Sequence, residues 1–308
     1  MVFVHLIFLT QNLESLSSLL GILGFRSYSA KKREGSLLFQ QNHISIEGRL
    51  PSSSHEKESL NKKQGTTIAE FWISTPQEKS LVFDKLGTTI QCLPPNKISE
   101  YFESRFYINQ DRTDQSHHNF QPILSHIDHV ALNIKEEHFS VTSESLRKKL
   151  GFVPLAPQKI SGHTTSFTCS AFQLPGASFF LVLNTSCDPG SQINDFLNRH
   201  NGPGVQHIAF HSENLEASIP YLKQNSIPFI DIPEDYYNTL YKKELTSQEI
   251  NSLKKAHLLY EPSLNHEGFL KQTFTKNLFG PLFFEIIHRH NLSGFGENNI
   301  TNLFKALE

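Results

Sequence analysis

The chain has 308 residues, which is enough for two domains of about 150 residues each. Apolar residues make up 38% of it and include 25 Phe, so the composition excludes a disordered chain. The 28 basic and 30 acidic residues nearly cancel, which excludes a strongly basic nucleic-acid-binding surface.

The cysteine and hydropathy patterns indicate the cellular compartment. Cys92, Cys169 and Cys187 are odd in number and lack Cys-x-x-Cys spacing, so we expect neither a disulfide framework nor a zinc knuckle. The apolar start, Met1–Leu9, has no basic region and is interpreted as a buried strand rather than a signal peptide. Since no run of about 18 apolar residues occurs, we expect no membrane span and a cytoplasmic protein.

The N-terminal half is predicted to be mainly strands. Leucines at helical spacing between Asn12 and Leu23 predict a helix, which ends at Gly24. The Ser- and Lys-rich segment Pro51–Gly65 predicts a loop, and the polar run Asn109–Asn119 a domain boundary. The other predicted elements are strands at Val2–Leu9, Ser36–Phe39, His43–Ile46 and Thr67–Ser74 and a helix at Gln77–Leu86.

The C-terminal half, from Ile123, is predicted to alternate between strands and helices. Gly202-Pro203-Gly204 predicts a sharp turn. Predicted strands are His126–Ile134, Ser166–Phe172, Ser178–Asn184, Val205–His211, Phe269–Thr275 and Leu282–Arg289. Predicted helices are Val141–Leu150, Gln192–Arg199, Leu215–Gln224, Leu245–Lys255 and Thr301–Leu307.

An internal repeat is visible in the starts of several predicted strands. Asp128-His-Val-Ala-Leu132 and Gln206-His-Ile-Ala-Phe210 both place a polar residue and a His before an aliphatic residue, Ala and a large apolar residue. His5-Leu-Ile-Phe8 starts a similar unit, and Ile68–Ile73 a fainter fourth one. This self-similarity predicts repeated strand–helix–three-strand modules.

The repeat predicts an α+β fold. Two modules per domain would pair as βαβββ units and curl into an open, barrel-like mixed sheet around a cleft. The polar run then divides the chain into an N-terminal domain, residues 1–118, and a C-terminal domain, residues 119–308.

Two histidines hold equivalent positions in the last two modules. His129 and His207 each begin the first strand of a module, so paired strands can bring them face to face. Glu285 lies within the apolar run Leu282–Ile287, where a carboxylate is costly to bury unless it is paired or binds a metal. Two His and one carboxylate from different strands match the facial triad that holds iron(II) and leaves three positions open.

Other histidines compete for this role, and a core histidine needs no metal. His126 is the rival of His129. Strand alternation is expected to put His126 and Asp128 on one face and Ile127 and His129 on the other, so only one of the two histidines can face the cleft, and the repeat selects His129. His288 and His290 are interpreted as surface residues. His5 holds the equivalent position in the first module, but it lacks matching partners, so we expect a structural role.

Several motifs of the second half resemble one protein family. They are Ile127-Asp-His129, Gly202-Pro-Gly-Val-Gln-His-Ile-Ala209, Phe274-Thr-Lys-Asn-Leu-Phe-Gly-Pro-Leu-Phe-Phe-Glu-Ile-Ile287 and Gly294-Phe-Gly296. In this order they resemble the 4-hydroxyphenylpyruvate dioxygenase family of the vicinal-oxygen-chelate superfamily, which also includes 4-hydroxymandelate synthase. The resemblance covers residues 123–308, and the first half shares the repeat pattern alone.

The resemblance implies an iron site and a substrate pocket. It makes His129, His207 and Glu285 the iron(II) ligands, in agreement with the repeat. Pocket residues implied for catalysis are Gln192, Gln206, Gln272 and Phe274. Residues implied for substrate binding are Ser170, Asn184, Phe284, Phe295, Asn299 and Ile300. The helix from Thr301 is implied to be a gate over the pocket.

Departures from the family pattern concern the substrate rather than the metal. Ile300 replaces a Phe that helps to sandwich the substrate ring. Asn184 is followed by Thr185-Ser186 in place of Glu-Pro. A looser ring clamp could change which carbon is oxidised.

The resemblance implies an iron(II) dioxygenase that converts 4-hydroxyphenylpyruvate and O₂ to homogentisate and CO₂ in tyrosine and phenylalanine catabolism. Three alternatives stay open: benzylic hydroxylation to 4-hydroxymandelate, a non-catalytic module that sequesters a small molecule, and a zinc or nickel isomerase of glyoxalase type. The complete His/His/Glu set argues against the second, and the Gln-lined pocket against the third. We expect a homodimer or homotetramer, an N-terminal domain without a metal set, and no nucleic-acid or membrane partner.

Overall fold

The structure, a computed structural model, is an α+β arrangement of two open mixed sheets. It describes residues 2–31, 34–63, 65–83, 87–108, 123–162, 164–240, 245–263, 267–292, 294–296 and 298–301. Among the helices in these stretches, none combines the length and hydropathy that a bilayer crossing requires. The predicted domain boundary lies outside the described residues.

The first sheet has seven strands and three accompanying helices. The strands are β1 Val4–Leu9, β2 Arg26–Ser29, β3 Ser36–Gln41, β4 Ile44–Arg49, β5 Thr67–Ser74, β6 Lys79–Phe83 and β7 Thr88–Leu93. The helices are α1 Leu13–Ile22, α2 Ser54–Lys62 and α3 Pro95–Arg105. Across the sheet the strand order is β2-β3-β4-β1-β5-β7-β6. Helix α1 starts where the Asn12 side chain accepts a hydrogen bond from the Ser15 amide.

The second sheet has nine strands. They are β8 His126–Asn133, β9 Val153–Pro154, β10 Gln158–Ser161, β11 Ser166–Gln173, β12 Phe180–Thr185, β13 Gly204–His211, β14 Leu259–Pro262, β15 Phe269–Phe274 and β16 Phe283–His290. Their order is β10-β11-β12-β8-β13-β16-β15-β14, with β9 paired to β11. The helices are α4 Phe139–Ser145, which continues as a π-helical turn Leu146–Leu150, α5 Gln192–Arg199, α6 Leu215–Gln224, α7 Glu234–Leu240 and α8 Ser247–Lys255. A last helix begins at Asn298, and the predicted gate beyond Thr301 lies outside the described residues.

The strand pairing repeats four times. The first strand of each module pairs in parallel with the last one: β1 with β4, β5 with β7, β8 with β12 and β13 with β16. The first strands of neighbouring modules pair antiparallel at the centre of each sheet, β1 with β5 and β8 with β13. As a result β8, β13 and β16 are adjacent, and these are the strands that carry His129, His207 and Glu285.

Two sequence predictions in the first half were wrong. The segment predicted as a loop contains α2, which a capping box between Ser53 and Glu56 starts and buried Leu60 anchors. The segment predicted as a helix at Gln77–Leu86 contains β6, which pairs antiparallel with β7. An available sheet edge outweighed a weak helical pattern there. The second module therefore has no helix in its described residues.

The largest buried core is shared by both sheets. It joins side chains of the first half, such as Phe8 and Leu20, to side chains of the second half, such as Phe210 and Ile219. Phe25 and Phe210 meet edge to face across the boundary, with ring centroids 6.4 Å apart. Burial of this apolar surface holds the two sheets together.

Candidate functional site

Three side chains that are far apart in the sequence converge in the second sheet. The Nε2 atoms of His129 and His207 lie 3.3 Å apart. Oε2 of Glu285 lies 3.3 Å from Nε2 of His129 and 3.7 Å from Nε2 of His207. Within the described part of the chain, this is the one group of His, Cys, Asp or Glu side chains with geometry for a metal ion.

A β-bulge precedes each histidine where β8 pairs with β13. The pairing skips Asp128 on one strand and Gln206 on the other. The extra residue turns the next side chain to the opposite face. Ile127 therefore packs in the core while His129 faces the cavity, and our expectation that alternation places these two on one face was wrong.

The bulge residues also fix the two imidazole rings. Oδ1 of Asp128 accepts a hydrogen bond from Nδ1 of His129 at 2.8 Å. Oε1 of Gln206 lies 3.1 Å from Nδ1 of His207. A partner on Nδ1 sets the tautomer and directs Nε2 toward the shared point, as oxygen partners do for metal-binding histidines. The two repeats therefore supply both a ligand and its support.

A hydrogen bond to Oε1, the other carboxylate oxygen, holds Glu285 in place. Nε2 of Gln272, on the neighbouring strand β15, donates to Oε1 of Glu285 at 3.3 Å. Oε1 of Gln272 accepts from Nδ2 of Asn299 at 3.4 Å, and the Tyr236 hydroxyl donates to Oδ1 of Asn299 at 2.9 Å. This chain of hydrogen bonds leaves Oε2 of Glu285 directed at the histidines.

Electrostatics in the site follow from burial and from the two carboxylates. Burial disfavours the charged form of His129, but Glu285 and Asp128 outweigh it and raise its pKa to about 9. Burial and the neighbouring His129 lower the pKa of His207 well below its usual value. Burial would raise the pKa of Asp128, but the Arg289 guanidinium and His129 lower it instead. A deprotonated Asp128 can act only as an acceptor, which suits its bond to His129.

The donor set fits a divalent first-row metal ion. Two imidazole nitrogens and one carboxylate oxygen, all within 4.8 Å of one another, come from three adjacent strands. They approach from one side, and a cavity lies on the other side. A 2-His-1-carboxylate set with open positions is typical of non-haem iron(II) sites.

The cavity above the three side chains has a volume of about 260 Å³. Most of its surface is apolar, and a few amides interrupt it. Of the residues predicted for the pocket, those that line it are Asn184, Gln192, Gln206, Phe274, Phe295 and Ile300. Further lining residues include Phe167, Cys169, Val182 and Phe283. An apolar chamber with few polar groups is typical of a small-molecule site.

Two predicted pocket residues lie on the opposite face of their strands. Ser170 pairs with Leu183, which is in the core, whereas Cys169 on the other face lines the cavity. Phe284 is buried in the core against Phe210, with ring centroids 5.1 Å apart. Phe283 shares the face of Glu285 and lines the cavity in its place. Successive strand side chains alternate, so a shift of one residue reverses the face.

Two other predicted residues, Gln272 and Asn299, are fully buried behind the cavity wall rather than on it. Both belong to the hydrogen-bond chain that ends at Glu285. The backbone amide of Asn299 also donates to Oε2 of Glu261 at 3.1 Å. Gln272 and Asn299 therefore support the candidate metal ligand Glu285 and do not line the cavity.

Asp128, Phe283 and Arg289 are site residues that the sequence reasoning missed. The match between Asp128 and Gln206, each directly before a ligand candidate, was a signal for the first. The position of Phe283, two residues before Glu285 on the same strand, was a signal for the second. No sequence pattern joined Arg289 to Asp128, because the two residues are 161 positions apart.

The remaining histidine predictions concern residues outside the cavity. His126 stacks on His211 with ring centroids 4.6 Å apart, and the Ser125 hydroxyl lies within 3.0 Å of Nδ1 of both rings. His288 is partly buried beside Glu213, and His290 is exposed. None of the three lines the cavity around Glu285.

The equivalent cleft of the first sheet is filled. His5 is fully buried and packs against Trp72 and Phe102, with ring centroids 4.8 and 5.0 Å away. Its Nδ1 lies 3.0 Å from the Ser45 hydroxyl, and its Nε2 lies 4.0 Å from buried Glu47. These partners were not foreseen, but Phe102 of α3 occupies the space that is open in the second sheet.

No protein-family model matches the sequence. Curated proteins do match it, and several of them are named 4-hydroxyphenylpyruvate dioxygenase. The chain is 26% identical to a 4-hydroxyphenylpyruvate dioxygenase of Pseudomonas aeruginosa, over 97% of this chain and 90% of that protein. It is 32% identical to the Legionella pneumophila enzyme of the same name over 60% of this chain, and 35% identical to protein MelA of Shewanella colwelliana over 59%. These two matches span about half of the relatives, 54% and 53%.

Solved structures share the fold over nearly the whole chain. A triple mutant of 4-hydroxymandelate synthase from Streptomyces coelicolor superposes with a TM-score of 0.80 at 19% identity, covering 99% of this chain and 97% of that one. A fusion of a xylose isomerase-like TIM barrel with 4-hydroxyphenylpyruvate dioxygenase gives a TM-score of 0.77 at 19% identity, covering 99% of this chain and 52% of that one. In sequence the chain is therefore similar to 4-hydroxyphenylpyruvate dioxygenases, and it shares its fold with 4-hydroxymandelate synthase and with the 4-hydroxyphenylpyruvate dioxygenase fusion protein.

Proposed function

We propose that the protein is an iron(II)-dependent dioxygenase that converts 4-hydroxyphenylpyruvate and O₂ to homogentisate and CO₂. The observation that carries the proposal is the meeting of His129, His207 and Glu285 at the wall of an apolar cavity. One wall of the cavity would hold the metal ion through these three side chains, and the apolar remainder would accept an aromatic ring. The names of the relatives from Pseudomonas and Legionella support the same reaction.

The metal-binding roles are assigned to three side chains. His129 and His207 would bind iron(II) through Nε2, and Glu285 through Oε2. Bound iron(II) would supply the chelation point for the 2-oxo acid and the redox chemistry with O₂. Asp128, Gln206 and Gln272 hold the ligand side chains in place.

The cavity side chains would orient the substrate and exclude water. Phe274, Phe283 and Phe295 provide apolar surface next to the metal candidates. Gln192 and Asn184 offer amide groups to the polar atoms of the substrate, since both line the cavity. Closure of such a site raises the strength of each polar contact, because the surroundings are dry.

One cavity residue, Ile300, keeps a second product open. Ile300 lines the cavity where the family pattern has a Phe, so an aromatic contact to the substrate ring is absent at that position. A ring that is held less tightly could present its benzylic carbon and give 4-hydroxymandelate. The fold likeness to 4-hydroxymandelate synthase does not distinguish the two outcomes.

Product analysis tests the proposal. The iron(II)-loaded protein is incubated aerobically with 4-hydroxyphenylpyruvate, and a chelator-treated sample is the control. We expect homogentisate and an equal amount of CO₂ in the loaded sample alone. Hydroxymandelate would select the second product. If neither forms while the substrate binds, the protein is a sequestering module.

We also propose a division of labour along the chain. Residues 119–308 would form the catalytic domain, because every cavity residue lies there. Residues 1–118 would form a supporting domain, because α3 fills their cleft. Assembly as a homodimer or homotetramer is part of the proposal, and light scattering of the purified protein would test it.

A further inference from the structure

Arg289 and Asp128 form a buried ion pair behind the candidate metal ligand His129. Nε of Arg289 donates to Oδ2 of Asp128 at 2.8 Å, and Nη2 donates to Oδ1 at 3.0 Å. The side chains are only 12% and 4% exposed, so water screens the pair little. Oδ1 of Asp128 also accepts from His129. The guanidinium is therefore one hydrogen bond removed from a ring that faces the cavity.

The other side of the same guanidinium holds the aromatic wall. Nη1 of Arg289 donates to the backbone carbonyls of Leu292, at 3.0 Å, and Gly294. The guanidinium lies over the rings of Phe295 and Phe180, at 5.1 and 5.6 Å from their centroids. The planar set of N–H donors on the guanidinium, here called the fork, can stack on rings and donate hydrogen bonds in its plane at the same time, which the Lys ammonium cannot.

Phe295 connects this clamp to the chemistry. Its ring lies edge to face with His129, with centroids 5.4 Å apart. It lines the cavity above the metal candidates and also a second cavity of about 280 Å³, which Phe180 and Gly294 border. The Phe295 ring is thus part of the partition between the two cavities.

We propose that Arg289 is a positioning residue that couples the orientation of His129 to the position of the Phe295 partition. One cation fixes the metal ligand through Asp128 and fixes the substrate wall through two carbonyls and a ring contact. Loss of the fork would loosen the His129 ring and the Phe295 partition together. This inference rests on the proposed function, because it needs metal and substrate at the same site.

The test uses three substitutions in the full-length protein. Arg289→Gln removes the charge and the fork, Arg289→Lys keeps the charge without the fork, and Asp128→Asn removes the acceptor charge on the His129 side. Arg199→Gln, which breaks an exposed ion pair to Asp195 on α5, is the matched control. Binding of Co(II) is followed by its visible absorption spectrum, and kcat and KM for 4-hydroxyphenylpyruvate are measured on the iron(II) protein.

We expect Arg289→Gln to lower Co(II) affinity about 10- to 100-fold, to change the Co(II) spectrum and to raise KM. Arg289→Lys should recover much of the affinity but keep the raised KM, because the contacts to the wall need the planar fork. Asp128→Asn should change the spectrum with a smaller change in KM. The control should match the wild type in Co(II) affinity, Co(II) spectrum, kcat and KM.

The outcomes test the coupling role of Arg289 separately from the proposed function. If Arg289→Gln lowers thermal stability alone, with the spectrum, affinity and KM of the wild type, the ion pair is merely structural and the inference is overturned. Equal recovery of affinity and KM in Arg289→Lys would refute the coupling, since charge alone would then suffice. A wild type that binds Co(II) but does not turn over contradicts the proposed function, while the spectra still decide on the link from Arg289 to His129. A wild type without a Co(II) site removes both.

Discussion

The Nε2 atoms of His129 and His207 lie 3.3 Å apart, although the two residues are 78 positions apart in the sequence. Two protonated imidazoles at this distance would repel each other, which disfavours a state in which both rings are charged. Burial and the neighbouring His129 lower the pKa of His207, whereas Glu285 and Asp128 outweigh burial and raise the pKa of His129. A divalent cation resolves the conflict, because both rings then coordinate in their neutral form.

Removal of the carboxylate should abolish metal binding. We expect iron(II) to raise the melting temperature of the wild type, because a ligand at 100 times its Kd stabilises the folded state by about 2.7 kcal/mol. Glu285→Gln should show no such rise, since only two nitrogen ligands remain. Glu100→Gln, an exposed helix position, is the control and should behave as wild type. Stoichiometric iron in Glu285→Gln by elemental analysis would remove Glu285 from the ligand set.

Restoring an aromatic side chain at Ile300 should tighten the hold on the substrate ring. An aromatic pair contributes about 0.5–1.5 kcal/mol beyond area burial, so Ile300→Phe should lower KM about 2- to 10-fold. It should also shift any hydroxymandelate toward homogentisate. Ile300→Val is the control for a change of size without a ring. An unchanged product ratio and KM in Ile300→Phe would show that this position does not touch the substrate.

Gly296→Ala should disturb the support of Glu285. Gly296 has φ +75°, and a Cβ there would lie 2.0 Å from Oε1 of Gln272. Gln272 must move, which weakens its hydrogen bond to Glu285, so we expect about a 10- to 100-fold loss of metal affinity. Gly176 has φ +77° with open space around it, so Gly176→Ala carries the same backbone strain alone. Equal metal affinities in the two variants would argue against the Gln272 support.

Gly87→Ala should weaken the contact between the two halves. A Cβ at Gly87 would lie 1.9 Å from the carbonyl oxygen of Pro203, in the turn before β13. Lys63 donates to both that oxygen, at 3.4 Å, and the Gly87 carbonyl, at 3.1 Å. We expect Gly87→Ala to lose more unfolding free energy than Gly176→Ala and to lower kcat/KM, because β13 carries His207. A loss of stability with full activity would mean that a shift of this turn does not displace His207.

Acid should destabilise the protein through His5. Burial lowers the pKa of His5 from 6.5 to about 3 in the folded state. Between these two values the unfolded chain binds more protons, so the free energy of unfolding falls as pH falls from 6.5 toward 3. His5→Gln keeps a polar contact for Ser45 but cannot titrate there. In denaturant titrations, the free energy of unfolding of His5→Gln should fall less steeply with falling pH than that of the wild type. The two slopes should differ by about 1.4 kcal/mol per pH unit in that window. Parallel pH profiles of the two proteins would contradict the burial effect.

The sequence by itself determined the repeat, the α+β class and the three candidate ligands. Equivalent positions select His129 and His207, and a carboxylate in an apolar strand is costly enough to identify Glu285. Such signals are local, and they survive because each module repeats them. The strands that carry all three residues were also predicted within a few residues of their observed bounds.

Only the tertiary structure decided which neighbours support those ligands. The bulges at Asp128 and Gln206 depend on how two strands pair, and they reversed the expected face of Ile127. The faces of Ser170 and Phe284 depend on register, where one residue changes core into cavity. The link from Arg289 to Asp128 joins residues 161 positions apart through charge and packing, which no local pattern encodes.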